Sequence, residues 1–174
     1  MKNVSELIKS ILQEGKCEFS LDDCLNMDLY YEGVVNKEDL SSLITLASEH
    51  KELEPLLCQI VGKYTNADSV DLNNFNVLLN YKGECRRTLL WNLCEVPLSF
   101  YQMQILFDKF CKDFPEIACN MLSTVYQNDC FSAYDMEHCL NKLTGVNIKS
   151  IMSISELIAS VPTNSKTKLL KKYL

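Results

Sequence analysis

A chain of 174 residues, 47% apolar and 23% charged, is long enough to bury one core and too apolar to stay disordered. Its formal charge of −6 argues against a general phosphate-binding surface, which needs clustered Lys and Arg. The imbalance is uneven: residues 1–145 carry 12 basic and 22 acidic side chains, while 146–174 carry 5 and 1, a basic island at the end of the chain.

Only 5 Gly and 4 Pro interrupt the apolar patterns, too few for a protein of strands and turns, so helices are expected throughout. Asn3, with Glu6 three residues on, reads as a helix start. Leu7, Ile8, Ile11 and Leu12 form its stripe, and Gly15 is its stop. Leu21, Leu25 and Leu29 recur every four residues and predict a short helix over 20–31. Asn36 caps the next helix, with Glu38 and Asp39 in the first turn and Leu40, Leu43, Ile44 and Ala47 on one side. After a turn at His50–Glu54, Pro55 opens a helix whose stripe is Leu56, Leu57, Ile60, Val61 and Tyr64.

Asp71 or Asn73 starts a helix with Phe75, Leu78 and Leu79 that Gly83 is expected to end. Arg86–Glu95 supplies its partner, with Leu89, Leu90, Leu93 and Cys94 inward, closed by Val96-Pro97. Ser99–Gln127 is the most fully specified hairpin. Ser99 and Gln102 form a capping box, and Met103, Leu106, Phe107, Phe110, Cys111 and Phe114 share one face. Pro115 then opens a second helix bearing Ile117, Ala118, Met121, Leu122 and Val125. Three further helices are expected: one from Ser132 to Gly145, one carrying Ile148 to Ile158, and a last short one with Leu169, Leu170 and Tyr173. Helix starts near 36, 72, 99 and 132, separated by 27 to 36 residues, each lead into a two-helix unit. The expected fold is therefore all-α, one domain over 1–174, arranged as a short HEAT-like solenoid of antiparallel helix pairs. A compact helical bundle produces the same stripes and is the alternative.

Chemistry is sparse. Nine cysteines, at 17, 24, 58, 85, 94, 111, 119, 130 and 139, include no Cys-x-x-Cys, and His138 beside Cys139 points elsewhere on a helix, so no metal site is expected. The N-terminus lacks a secretory core and no apolar run reaches a membrane span, so reduced thiols packed as small hydrophobes in the nucleus or cytoplasm are expected, with no membrane partner. His50 and His138 are the only histidines, no nucleophile elbow occurs, and every glycine is isolated. Asp22-Asp23 and Glu38-Asp39 fall in first helical turns, where the dipole accounts for them. No catalytic residue and no cofactor are expected.

Arg86 and Arg87, the only arginines, open a helix, where cations are mildly disfavoured, and Trp91 follows within about one and a half turns. Trp91 lies close to the apolar stripe, so core burial is the first reading and an interface cluster of Arg87 with Trp91 the second. Lys166, Lys168, Lys171 and Lys172 complement the dipole of the last helix, or else face an acidic partner or nucleic acid.

Phe110, Cys111, Lys112, Phe114, Pro115, Cys119, Met121 and Leu122 follow an order of residue types that resembles the C-terminal helical-repeat domain of the Fanconi anaemia group E family. The similarity spans about residues 68–174, with Ser69 to Asn80 resembling the preceding helix. The resemblance implies an adaptor, not an enzyme; the alternative reading is another intracellular helical protein-protein interaction module, including a virus-encoded Bcl-2-like host modulator. The adaptor would bind the group C protein of a nuclear ubiquitin-ligase core complex and help present the clamp substrate for monoubiquitination in interstrand-crosslink repair. The family's clamp contact is a Phe-Leu pair in a late helix. The nearest match is Lys168-Leu169 or Leu169-Leu170, flanked by Lys171 and Lys172, with the phenylalanine absent.

Overall fold

The computed structural model describes residues 1–14, 21–114 and 117–118, and these are mostly helical. They fall into a first compact unit, Met1–Leu98, and a second that begins at Ser99.

Side-chain caps set where the helices begin. Asn3 Oδ1 accepts the Ser5 N–H at 2.8 Å and opens α1 (Val4–Glu14), which buries Val4, Leu7, Ile8 and Ile11. Asn36 caps α3 (Lys37–Glu49) by accepting the Asp39 N–H at 2.8 Å, and its amide also donates to the Asp39 carboxylate at 2.8 Å. Pro55 sits in the first turn of α4 (Glu54–Lys63), where its missing N–H costs nothing. Asp71, rather than Asn73, caps α5 (Leu72–Leu79) through the Asn74 N–H at 2.9 Å. The partner helix α6 is Arg86–Glu95, as its stripe predicts. In the second unit α7 (Phe100–Asp113) opens with the expected capping box of Ser99 and Gln102, and Met103, Leu106, Phe107 and Phe110 are buried. Cys111 and Phe114 are only half-buried, and the predicted helices beyond Ala118 lie outside the described residues.

Two expectations are corrected. The helix over 20–31 is broken into α2 (Leu21–Leu25) and a 3₁₀ turn at Met27–Leu29. The break rotates the chain, so Cys24 and Met27 are buried at 3% and 0% exposure, while Leu25 and Leu29 stand out at 64% and 66%. Beyond it Tyr31–Glu32 (β2) pairs in parallel with Lys2–Asn3 (β1), a two-residue contact too short to show as alternation. Gly83 does not end α5, which stops at Leu79 with Asn80 as its cap.

Within the first unit α1 packs on α3 and α3 on α5, while α2 packs on α4 and α4 on α6; α3 also meets α4, and α5 meets α6. The odd helices start at residues 4, 37 and 72 and the even ones at 21, 54 and 86, so each series advances by 32 to 35 residues. Polar ties span a similar interval, 34 to 37 residues. Ser69 Oγ donates to the Val35 carbonyl 34 residues away. Asn74 Nδ2 reaches Lys37 O across 37 residues at 2.9 Å, and Tyr81 Oη reaches Ala47 O across 34 at 3.0 Å. Asn92 Nδ2 reaches Cys58 O across 34 residues at 2.7 Å. Side chains of one pair thus donate to backbone carbonyls of the pair before it.

Asp28, in the 3₁₀ turn, accepts from Lys63 Nζ and, at 2.6 Å, from Tyr64 Oη. The Lys63 ammonium first and the Tyr64 hydroxyl second hold its carboxyl below the ordinary 3.8.

Met27→Ala should lower unfolding free energy by about 2–5 kcal/mol in urea titration, whereas Leu29→Ala should change it by no more than about 0.5 kcal/mol. A depressed folded-state pKa means that the stabilisation by Asp28 is complete above the unfolded value and is lost as pH falls through the folded one. The stability gap between the natural chain and Asp28→Asn should therefore stay constant from pH 7 to about 4 and close in more acid solution, as read from urea midpoints.

Candidate functional site

The helical registers of α4 and α6 bring one chemically dense group together. Glu54 is the first residue of α4 and Cys58 lies four residues on, so both occupy one face. Cys85 immediately precedes α6, and Asn92 lies two turns into it. With Cys24 and Leu25 of α2, these side chains line a concavity of about 460 Å³ in the first unit.

Glu54 is only 6% exposed. Its Oε2 accepts the Cys85 N–H at 2.8 Å, which supplies the start of α6 with the cap that the Cys85 side chain does not give. Its Oε1 accepts from Tyr81 Oη at 3.3 Å, and that hydroxyl divides its single proton between Glu54 and the Ala47 carbonyl. Burial, then the Glu54 charge, pushes the Tyr81 phenol well above its ordinary value. Gly83 explains itself here: a Cβ at that position would lie 1.8 Å from Glu54 Oε1 and 2.4 Å from the Tyr81 ring. The glycine is needed for close approach, not for turn geometry.

Cys58 Sγ donates to the Cys85 carbonyl at 3.9 Å. A hydrogen bond from the Cys85 side chain lowers the Cys58 thiol, against burial and the Glu54 charge. The Cys85 thiol is pushed up, first by its contact with Cys58, then by burial and the neighbouring Glu54. Cys94, completely buried on α6, is pushed up chiefly by burial and behaves as a core hydrophobe. On the rim Lys51 and Glu84 pair at 3.0 Å, both well exposed, where such a pair contributes little. Among the described residues no three His, Cys, Asp or Glu side chains converge in a way that holds a metal ion.

The residues singled out from the sequence fare unevenly. Arg86, Arg87 and Trp91 all lie on α6, with Arg86 half-buried, Arg87 exposed and Trp91 half-buried. Trp91 is therefore not a core residue. Arg87 and Trp91 stand four apart and share a helix face. Lys168, Leu169, Leu170, Lys171 and Lys172 lie outside the described residues. The sequence reading missed the Glu54–Cys58–Cys85 group. Only the Glu54 to Cys58 spacing is visible locally, because Cys85 joins from 27 residues away.

No family model matches the chain, and no curated protein or solved structure matches it either. No helix among the described residues is long and apolar enough to cross a membrane.

Gly83→Ala should force Glu54 and Tyr81 apart and cost about 1–3 kcal/mol in unfolding free energy, the usual range for overpacking. The measurement is chemical denaturation with circular dichroism, and an unchanged midpoint would show that Glu54 does not need the glycine.

Proposed function

We propose that the chain is a non-enzymatic helical interaction module, a short solenoid of stacked antiparallel pairs that serves as an adaptor of the Fanconi anaemia group E type. The interaction reading is carried by one observation: Leu25, Leu29, Tyr30 and Val34 are 64%, 66%, 61% and 51% exposed within one stretch of the first unit. Exposed apolar side chains grouped in this way mark partner sites more often than scattered ones do. The same stretch is anchored from beneath by Met27 and Val35, both at 0% exposure, and tied by Asp28 to Lys63 and Tyr64. Its shape is thus set before a partner arrives, which lowers the entropic cost of binding.

The solenoid reading draws support from the odd and even helices packing in series at intervals of 32 to 35 residues. The adaptor reading rests on the resemblance around Phe110–Leu122, and under it the partners are the group C protein and the clamp substrate in the nucleus. Arg87 and Trp91 on one face of α6 offer a second contact of the kind enriched at interfaces. No cofactor is required for such a role.

Tagged full-length chain incubated with nuclear extract should retain the group C protein. The double variant Leu29→Asp/Tyr30→Ser should reduce recovery about tenfold or more while keeping its helical circular dichroism spectrum. Recovery of neither Fanconi component would reject the adaptor reading, and recovery undiminished by the double variant would reject this surface.

A further inference from the structure

The structure assigns a second property to the concavity between α2, α4 and α6: Cys58 and Cys85 form an oxidisable dithiol that closes to a disulfide when a hydroperoxide enters. This inference does not depend on the identity of any partner.

Three features of the site carry it. The Cys58 sulfur lies 3.9 Å from the Cys85 carbonyl, although 27 residues separate the two cysteines in the chain. Their backbones are held on both sides. Glu54 Oε2 fixes the Cys85 N–H at 2.8 Å, and Asn92 Nδ2 fixes the Cys58 carbonyl at 2.7 Å, each tie crossing from α4 to the α6 segment. A disulfide needs its sulfurs to close to about 2.05 Å with Cα atoms about 4.4–6.8 Å apart, and the Cys58 sulfur already rests against the Cys85 backbone across a braced interface. Finally, both thiols line a concavity of about 460 Å³, ample for a reagent as small as hydrogen peroxide, although Cys58 itself is only 7% exposed.

The environment also divides the roles. Cys58, whose sulfur already faces the Cys85 segment at 3.9 Å and whose thiol is lowered while that of Cys85 is pushed up, is the attacking sulfur, and Cys85 keeps its proton until the second step. The Cys58 thiolate attacks one peroxide oxygen, the O–O bond breaks, and hydroxide leaves, giving a sulfenic acid on Cys58. Hydroxide takes the proton released when Cys58 ionised and becomes water. The Cys85 sulfur then attacks the Cys58 sulfur, the S–O bond breaks, and the Cys85 proton leaves with the departing hydroxyl as a second water. Two thiols are oxidised to one disulfide and one peroxide is reduced to two waters. The product locks the start of α6 onto α4.

The test treats the full chain with hydrogen peroxide, blocks remaining thiols with N-ethylmaleimide, digests without reductant and identifies linked peptides by mass spectrometry. A Cys58–Cys85 peptide, two hydrogens lighter than the sum of its parts, is expected as the main linkage. In Cys85→Ser, dimedone should label Cys58, because no second sulfur resolves the sulfenic acid. In Cys58→Ser both the linkage and the label should vanish. Absence of the linkage in the natural chain, a dominant linkage of either cysteine to Cys24, or dimedone labelling of Cys85 in Cys58→Ser would each overturn the assignment. The reading on the natural chain needs no substitution, so a variant that fails to fold does not protect the proposal.

Discussion

A buried carboxylate holds the first unit together where it is most crowded. Glu54, 6% exposed, begins α4 and takes the place of a capping side chain at the start of α6, with one oxygen on the Cys85 N–H and the other on the Tyr81 hydroxyl. A negative charge at the first turn of a helix is favourable, and here two helix starts converge on the same group. The arrangement succeeds only because both oxygens are occupied; a buried carboxylate without partners would cost several kcal/mol. It also dictates its neighbours. Residue 83 must lack a Cβ, residue 81 must carry a hydroxyl on a long rigid side chain, and Cys58, one turn after Glu54, is brought against Cys85.

The same solution recurs along the unit. Asn74, 2% exposed, donates to both the Lys37 and Ser69 carbonyls at 2.9 Å, and Ser69, also 2% exposed, donates to Val35. Apolar stripes pull the helices together without fixing their stagger, because hydrophobic attraction is non-directional. Buried side-chain-to-backbone hydrogen bonds do fix it, since each has one acceptable geometry and leaving one unmade is expensive. Each helix pair is therefore keyed to the preceding one by polar residues that sit among the apolar ones.

The proposed partner surface and the thiol pair occupy different parts of this framework. The exposed side chains Leu25, Leu29, Tyr30 and Val34 belong to a segment pinned from below, whereas the dithiol belongs to the interior tie between α4 and α6. Leu25 links them, being exposed on the outside and lining the concavity. The cysteines also separate into classes by environment. Cys94 is completely buried and donates only within its own helix, to the Leu90 carbonyl at 3.4 Å, while Cys58 reaches across to the Cys85 carbonyl and lines the concavity with Cys85.

The sequence alone determined most of the local structure, because caps and helical periodicity are written in neighbouring residues. Asn36, Asp71 and Ser99 begin their helices, Pro55 lies in the first turn of α4, and the stripes Leu40–Ala47, Leu56–Tyr64 and Leu89–Cys94 face inward. Where a segment was short, periodicity misled: Leu25 and Leu29 keep helical spacing, but the break after Leu25 turns them outward and Met27 inward. The mixed environment of Trp91 also needed the packed helices to be visible. What only tertiary structure decided are the contacts across one helix-pair interval. Glu54 with Cys85, Tyr81 with Ala47, Asn92 with Cys58 and the role of Gly83 join residues that no local pattern couples. Caps and stripes arise from the backbone's own geometry over a few residues, whereas these ties exist only once two helices stand side by side at one stagger.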